Sequence, residues 1–272
     1  MGEPMAQRAS DVRCEGCSAT RKQDAWATAL WVCPTCDFHN AMPALARLTL
    51  LADAGSVGEL STSAVGGDPL RFIDTKPYPE RLAQARRETG ETESFIAAPC
   101  TIGGVPSILG ALDFAFMGGT MSAATGERVA RTFEQAAEEG RAVALCTASG
   151  GARMQEGTLS LFQMTKTVAA LSRFRKAGRP YVSILCHPTL GGVAASFGML
   201  ADVLLAEPGA RIGFAGPRVI EQLIGQPLPP EFQKAEFAYA HGFVDRIVRR
   251  DHLRDELSRL MRLLAGGRPV PG

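Results

Sequence analysis

The fold turns on the stretch Cys146-Thr-Ala-Ser-Gly-Gly-Ala-Arg-Met-Gln-Glu156. Ahead of it, Arg141 to Cys146 is a short apolar run that reads as a buried strand. Behind it lies a helix on which Leu161, Met164, Val168 and Leu171 mark one face. The two adjacent glycines leave the backbone without Cβ cover, so its N–H groups can face a ligand. The same order returns one unit later. Tyr181–Cys186 is a second buried strand, His187-Pro-Thr-Leu-Gly-Gly-Val-Ala-Ala-Ser196 a second glycine loop, and the residues near Val193–Leu200 an apolar helix. Strand, glycine loop and helix in repetition predict α/β layering with parallel sheet. A helix N-terminus adds partial positive charge, which makes each loop a place for an anion or a developing oxyanion. The plain alternative is a pair of tight structural turns.

On either side the chain keeps to short elements. Phe95–Ile102 and Ser107–Phe114 are strand-like and joined by a Gly-Gly-Val-Pro turn. Thr125 to Glu139 is helical and stops at Gly140, the residue type that closes helices in the left-handed conformation. Val203–Ala206 and Arg211–Phe214 add two strands, and Phe232–His241 and His252–Leu264 two closing helices. This body spans 95–272. Residues 42–94 form a connecting region, with a helix over Ala44 to Ala54 and a Gly- and Ser-rich stretch from Gly55 to Gly67. An ordered, proline-bearing loop from Asp68 to Pro79 and a short helix over Arg81 to Glu88 complete it.

Residues 1–41 are a module of another kind. Cys14-x2-Cys17 and Cys33-x2-Cys36 are separated by fifteen residues. Each pair can turn through a knuckle and aim two thiolates at one point, and two knuckles complete a tetrahedral shell around zinc. With all four positions filled by protein, the zinc is structural, folding a segment too short to hold a core alone. A redox pair is the competing reading of paired cysteines. Trp26, Leu30 and Trp31 fit a small β-ribbon core between the knuckles, and His39 reads as a solvated neighbour. Residues 1–40 carry four basic side chains against five acidic ones, so the ribbon has little to offer a phosphate backbone.

The chain has 272 residues, 46% apolar and 21% charged, ordinary for a globular protein. Its 29 basic and 28 acidic side chains leave a formal charge of +1 and no field that recruits nucleic acid or an anionic membrane. No uncharged apolar run approaches the ~20 residues of a membrane span. The opening Met-Gly-Glu-Pro-Met-Ala-Gln-Arg lacks the apolar stretch of a signal peptide. A reducing, cytoplasmic setting is expected, where paired cysteines bind metal before they form disulfides. Neither a G-x-x-x-x-G-K-S/T nor a G-x-G-x-x-G opening a strand–helix unit is present, so P-loop and dinucleotide folds do not fit. Ser149 sits in Ala-Ser-Gly-Gly rather than in a G-x-S-x-G elbow, and the four histidines show no spacing that defines a base for it. His187, beside the second glycine loop, reads as a loop residue with a local hydrogen bond.

Four stretches taken together resemble one family. Asp113-Phe-Ala-Phe-Met-Gly-Gly-Thr-Met121, Ala148-Ser-Gly-Gly-Ala-Arg-Met-Gln-Glu156, Pro188-Thr-Leu-Gly-Gly-Val193 and Gly213-Phe-Ala-Gly-Pro-Arg-Val-Ile-Glu-Gln222 look like the carboxyltransferase β subunit of bacterial and plastid acetyl-CoA carboxylase. The four-cysteine ribbon is a further feature of that subunit, and the likeness runs from about Cys14 to Arg250. The resemblance implies a crotonase-like spiral of ββα units behind the zinc ribbon. It also implies transfer of a carboxyl group from carboxybiotin to acetyl-CoA, giving malonyl-CoA for fatty-acid synthesis. In that family biotin on a partner protein supplies the base, and the protein stabilises the enolate oxygen. By resemblance, Gly150 and Gly151 carry the oxyanion N–H groups, Gly191 and Gly192 face the same pocket, and Met117, Gly118, Gly119 and Met121 border the CoA channel.

The implied cofactors are one zinc per chain, partner-borne biotin and a CoA thioester as substrate. The implied partners are an α-type carboxyltransferase subunit in an α2β2 assembly, the biotin carboxyl carrier protein and biotin carboxylase. Departures from the family are Ser122 in place of a glycine, His187 in place of an aspartate, and Cys36-Asp-Phe-His39 in place of Cys-Gly-His-His. Ser122 places a side chain near the expected acyl-CoA path. These departures open a second reading, a divergent paralogue acting as carboxyltransferase or decarboxylase on another acyl-CoA or carrier-bound thioester. A nucleic-acid-binding or regulatory role on an idle scaffold is the third.

Overall fold

The computed structural model describes residues 11–61 and 63–266; the signal-peptide reading of residues 1–8 lies outside them. Its strands are β1 (Asp11–Arg13), β2 (Thr20–Lys22), β3 (Phe95–Ile102), β4 (Val105–Leu112), β5 (Ala142–Ser149), β6 (Tyr181–Leu190), β7 (Val203–Ala206), β8 (Ile212–Gly213) and β9 (Arg246–Ile247). Its helices are α1 (Gln23–Thr28), α2 (Ala44–Leu51), α3 (Tyr78–Thr89), α4 (Ala123–Glu138), α5 (Thr158–Lys176), α6 (Gly191–Ala194), α7 (Pro217–Ile224), α8 (Ala235–Ala240) and α9 (Leu253–Ala265).

β3 and β4 form an antiparallel hairpin in register from Phe95–Leu112 to Ile102–Val105. From β4 the sheet continues parallel through β5, β6, β7 and β9, while β8 pairs the end of β6. All eight residues of β5 are buried, as a parallel strand covered on both faces requires. One face carries Val129 and Phe133 of α4 and Leu171 and Phe174 of α5, packed on Val143, Leu145 and Tyr181. The other face carries Leu48 and Leu51 of α2 and Leu253, Leu257 and Met261 of α9, packed on Ile96, Leu109, Ala144 and Ile184. Truncating one such aromatic, Phe133→Ala, removes about 3–5 kcal/mol. The result is three layers, with the sheet in the middle.

β5 and β6 run side by side, and Ser149 pairs with Thr189 at their ends. Both glycine loops therefore leave the sheet at its carboxyl edge, where α/β folds bind ligands. The hairpin, α4 and the closing helix agree with the sequence expectation to within a few residues.

Three features differ. The first glycine loop does not enter a helix directly: Ala152 bridges to Met121, a 3-10 turn covers Met154–Glu156, and α5 starts only at Thr158. The apolar helix near Val193–Leu200 is instead the single turn of α6 and a 3-10 turn at Phe197–Met199. Ser196 breaks it, with non-helical φ −134° and ψ −125° and its hydroxyl donating to Gly192 O at 2.6 Å. On α5, Leu161 and Phe162 are exposed, and the buried face is Ser160, Gln163, Thr167, Ala170, Leu171 and Phe174. Small and self-bonded side chains win that face because α4 comes so close. A Cβ on Gly126 would lie 2.5 Å from Gln163 Cβ, and Thr167 Oγ1 donates back to Gln163 O.

Candidate active site and metal centre

The two glycine elbows lie back to back. Gly151 has φ +113° and Gly191 φ +57°, and a Cβ on Gly151 would come within 3.1 Å of Gly191 Cα. Only glycine permits both the conformations and the approach. Gly150 is exposed, and its N–H donates to Gly118 O at 2.9 Å. Gly151 N–H donates to Ser149 Oγ at 3.0 Å, and Gly191 N–H to Phe214 O at 2.9 Å. Both expected oxyanion donors, Gly150 and Gly151, are thus engaged within the chain, as is Gly191 of the second elbow. Gly192 is buried in the first turn of α6, and its N–H has no acceptor among the described residues.

The 117–121 segment runs alongside. Met117, Gly118 and Gly119 have φ +50°, +68° and +60° in succession. A Cβ on Gly119 would lie 1.9 Å from Ala148 O, so the segment sits directly on the end of β5. Met117 and Gly118 line a cleft of about 430 Å³ with Arg81, Gln84, Thr120 and Met154. Met121 does not reach it. Its side chain is fully buried in the core, while its backbone binds Gly151 O and receives Arg153 N–H. Ser122 is likewise not in the cleft: it caps α4, accepting from Thr125 N–H at 3.0 Å and donating to Glu93 at 2.9 Å.

Behind the elbows is a buried clamp that sequence reasoning missed. Arg153 donates to both Glu93 oxygens at 3.0 and 2.6 Å, to Tyr78 Oη at 3.1 Å and to Thr120 O at 2.9 Å. Glu156 accepts from Tyr78 Oη and from the Ala123 N–H that opens α4, both at 2.7 Å. Burial pushes the Glu93 carboxyl up, but Arg153 outweighs it and holds the group below the usual carboxylate range. The available signal was a pair of charges, Arg153 and Glu156, between a buried strand and a helix.

The cysteine module brings its four predicted ligands together. The Sγ atoms of Cys14, Cys17, Cys33 and Cys36 all lie within 4.8 Å of one another. Cys14–Cys36 and Cys17–Cys33 are each 3.7 Å apart, and Gly16 N–H points at Cys14 Sγ from 3.3 Å. A tetrahedron with Zn–S bonds of about 2.3 Å has edges near 3.8 Å, so the donor set fits the ion. Between the knuckles the chain is helical in α1 rather than ribbon throughout, and buried Trp26 donates to Val12 O at 2.9 Å.

His39 is not solvated. It is buried with both ring nitrogens unpartnered, beneath the ribbon and near Glu207 and Arg250. There Glu207 accepts from Arg47 at 2.8 and 3.2 Å and from Arg250 at 2.7 and 2.5 Å, and Arg250 also reaches Leu30 O of the ribbon at 2.8 Å.

The carboxyl transferase domain family matches residues 73–265. The acetyl-coenzyme A carboxylase carboxyl transferase subunit β of Thermus thermophilus is 52% identical over 255 residues, covering 94% of this chain and 89% of its own. The chain belongs to the carboxyl transferase family. A Parafrankia protein named as joined carboxyl transferase subunits β/α is 49% identical over 248 residues, 91% of this chain and 40% of its own. One chain of the hetero-dimer of a Pseudomonas malonate decarboxylase superposes with a TM-score of 0.63 at 26% identity, covering 84% of this chain and 88% of its own. The α/β fold is therefore the crotonase-like one of carboxyltransferases. Among the described residues no helix is long and apolar enough to cross a membrane.

Within this carboxyl transferase the departures from the family pattern fall away from the cleft. Ser122 serves α4, as described. His187 is a residue of β6 rather than of a loop, with its Nδ1 accepting from Arg211 N–H at 3.2 Å. Its ring meets Phe38 of the ribbon edge-on at 4.9 Å.

Proposed function

We propose that the chain is the β subunit of an acetyl-CoA carboxylase carboxyltransferase, moving a carboxyl group from carboxybiotin to acetyl-CoA to give malonyl-CoA. One observation carries this reading: two glycine elbows from neighbouring parallel strands are apposed beside a cleft, in a chain 52% identical to a subunit of that name.

The chain's own part is electrostatic. Gly192 N–H is free of in-chain acceptors among the described residues, and Gly150 N–H reaches only a neutral carbonyl. An enolate oxygen here gives Gly192 N–H an acceptor and replaces the neutral acceptor of Gly150 by a charged one, and charge-assisted bonds are roughly twice as strong. Gly151 and Gly191 complete the elbow that holds those two donors. Met117 and Gly118 line the wall along which CoA lies, and Gly119 is buried behind it. Carrier-borne biotin supplies the carboxyl group and the base for the acetyl methyl. Ser149 takes no proton, being buried and committed to Gly151 N–H.

The ribbon holds one structural zinc on Cys14, Cys17, Cys33 and Cys36, and the chain divides into ribbon (1–41), connecting region (42–94) and carboxyltransferase body (95–272). The partners are an α-type subunit in an α2β2 assembly, a biotin carboxyl carrier protein and biotin carboxylase, in the cytoplasm. The joined β/α relative supports the α partner. So does the exposed apolar face of Phe214, Val219, Leu223 and Ile224 beside the second elbow. The paralogue reading is not favoured, because Ser122 and His187 lie away from the cleft. Purified chain, assayed for carboxyl transfer from malonyl-CoA to biocytin, is expected to turn over poorly alone and well with an α-type partner. Robust turnover by the isolated chain would overturn the reading.

A further inference from the structure

Between its two ends β6 passes through a gap in the sheet. It pairs with β7 up to Leu185–Ala206 and with β5 up to Thr147–Leu185, then resumes at Ser149–Thr189 and, with β8, at Thr189–Ile212. Residues 186–188 have no ladder partner among these pairs, and three residues beyond them the chain becomes the Gly191–Gly192 elbow.

The ribbon packs against the His187 side chain of this stretch. Phe38, two residues after Cys36, lies edge-on to the His187 ring at 4.9 Å. From the other side Phe38 is backed by the first knuckle, where a Cβ on Gly16 would come within 2.8 Å of Phe38 Cβ. Glu15 of that knuckle stands 3.7 Å from His187 Nε2. The ribbon is itself pinned to the body by Arg250 on Leu30 O and by the Arg249–Asp37 ion pair. Phe38 is therefore a wedge between a metal knuckle and the unladdered part of the strand that carries an elbow.

We propose that Phe38 and His187 are positioning residues through which the metal-held ribbon sets the Gly191–Gly192 elbow. The metal clamps the two knuckles together, the knuckles seat Phe38, and Phe38 braces His187 in the gap between ladders. Loss of the metal releases the wedge, and residues 187–195 gain freedom while the core of β5 does not. The proposal rests on the reading of that elbow as part of the active site.

The test is hydrogen–deuterium exchange on the full chain together with turnover of the chain assembled with its α-type partner. A zinc chelator and, separately, Phe38→Ala are expected to speed exchange at amides 187–195 and to leave 142–147 unchanged. Phe38→Ala is expected to keep its metal and to lose about tenfold in kcat with little change in KM, less than the ~10²-fold of a full 1 Å misplacement. Phe38→Tyr, which keeps the ring edge, is expected to restore kcat. His187→Ala approaches the contact from the body and is expected to reproduce the effect with the ribbon intact. Unchanged exchange at 187–195 in both variants and on chelation would overturn the proposal. Faster exchange there with wild-type kcat would leave the brace standing and remove the elbow from the active site.

Discussion

Gly119 and Gly150 lie close together, yet glycine serves a different purpose at each. A Cβ on Gly119 would meet Ala148 O at 1.9 Å, on a residue already at φ +60°. Gly119→Ala must push the cleft wall off the end of β5 and is expected to lower stability by about 2–4 kcal/mol, read by urea unfolding. A Cβ on Gly150 meets nothing nearer than Gly118 O at 3.6 Å. Gly150→Val is therefore expected to unfold within about 0.5 kcal/mol of the parent while kcat falls by ~10²-fold as the side chain crowds the donor. Wild-type kcat in that variant would count against Gly150. Gly151 offers no such separation, because a side chain there meets the backbone of the second elbow. Arg153 belongs to the same scale. Arg153→Met leaves Glu93 charged and buried and is expected to cost about 3–5 kcal/mol, again by urea unfolding.

At the scale of elements, the strands and the glycine punctuation were legible because parallel strands covered on both faces are apolar throughout. Thr125–Glu139 was readable from its period and Gly140, and the four ribbon cysteines from spacing alone. The core face of α5 was not. Leu161 looks like core and is exposed, while Ser160, Gln163 and Thr167 look like surface and are buried, since backbone proximity to α4 favours small side chains over apolar ones. α7 escaped notice because its apolar face has no described partner to bury it, and Arg153 because periodicity says nothing of a buried charge pair. The same blindness placed His39 in solvent. The ribbon makes its own prediction: elemental analysis of folded protein is expected to find one zinc per chain, and chelation to unfold residues 11–40 locally. Well-folded, zinc-free protein would refute the assignment.

Across the whole molecule, ribbon, connecting helix, sheet end and C-terminal segment meet at Glu207. Arg47 comes from α2, Arg250 precedes α9, and Arg250 also grips the ribbon. Burial pushes the Glu207 carboxyl up, but the two guanidinium groups outweigh it and hold it well below the usual carboxylate range. A carboxyl more acidic folded than unfolded contributes its full stability above the unfolded pKa of about 4.3 and loses it as pH falls from there toward the folded value. Urea midpoints are expected to show this loss below about pH 4.3, and Glu207→Gln to remove it while lowering stability at pH 7. An unchanged acid limb in the variant would assign the loss to other carboxylates.

The proposed function rests on negative charge being held on a thioester oxygen at two apposed loops, with the proton chemistry left to a tethered cofactor. The most direct measurement is a structure of the assembled enzyme with a non-reactive CoA thioester. The carbonyl oxygen is expected within about 2.7–3.1 Å of the elbow amides, Gly192 N–H among them. A carbonyl turned away from Gly150 and Gly192, with CoA lying elsewhere than along Met117 and Gly118, would contradict the account.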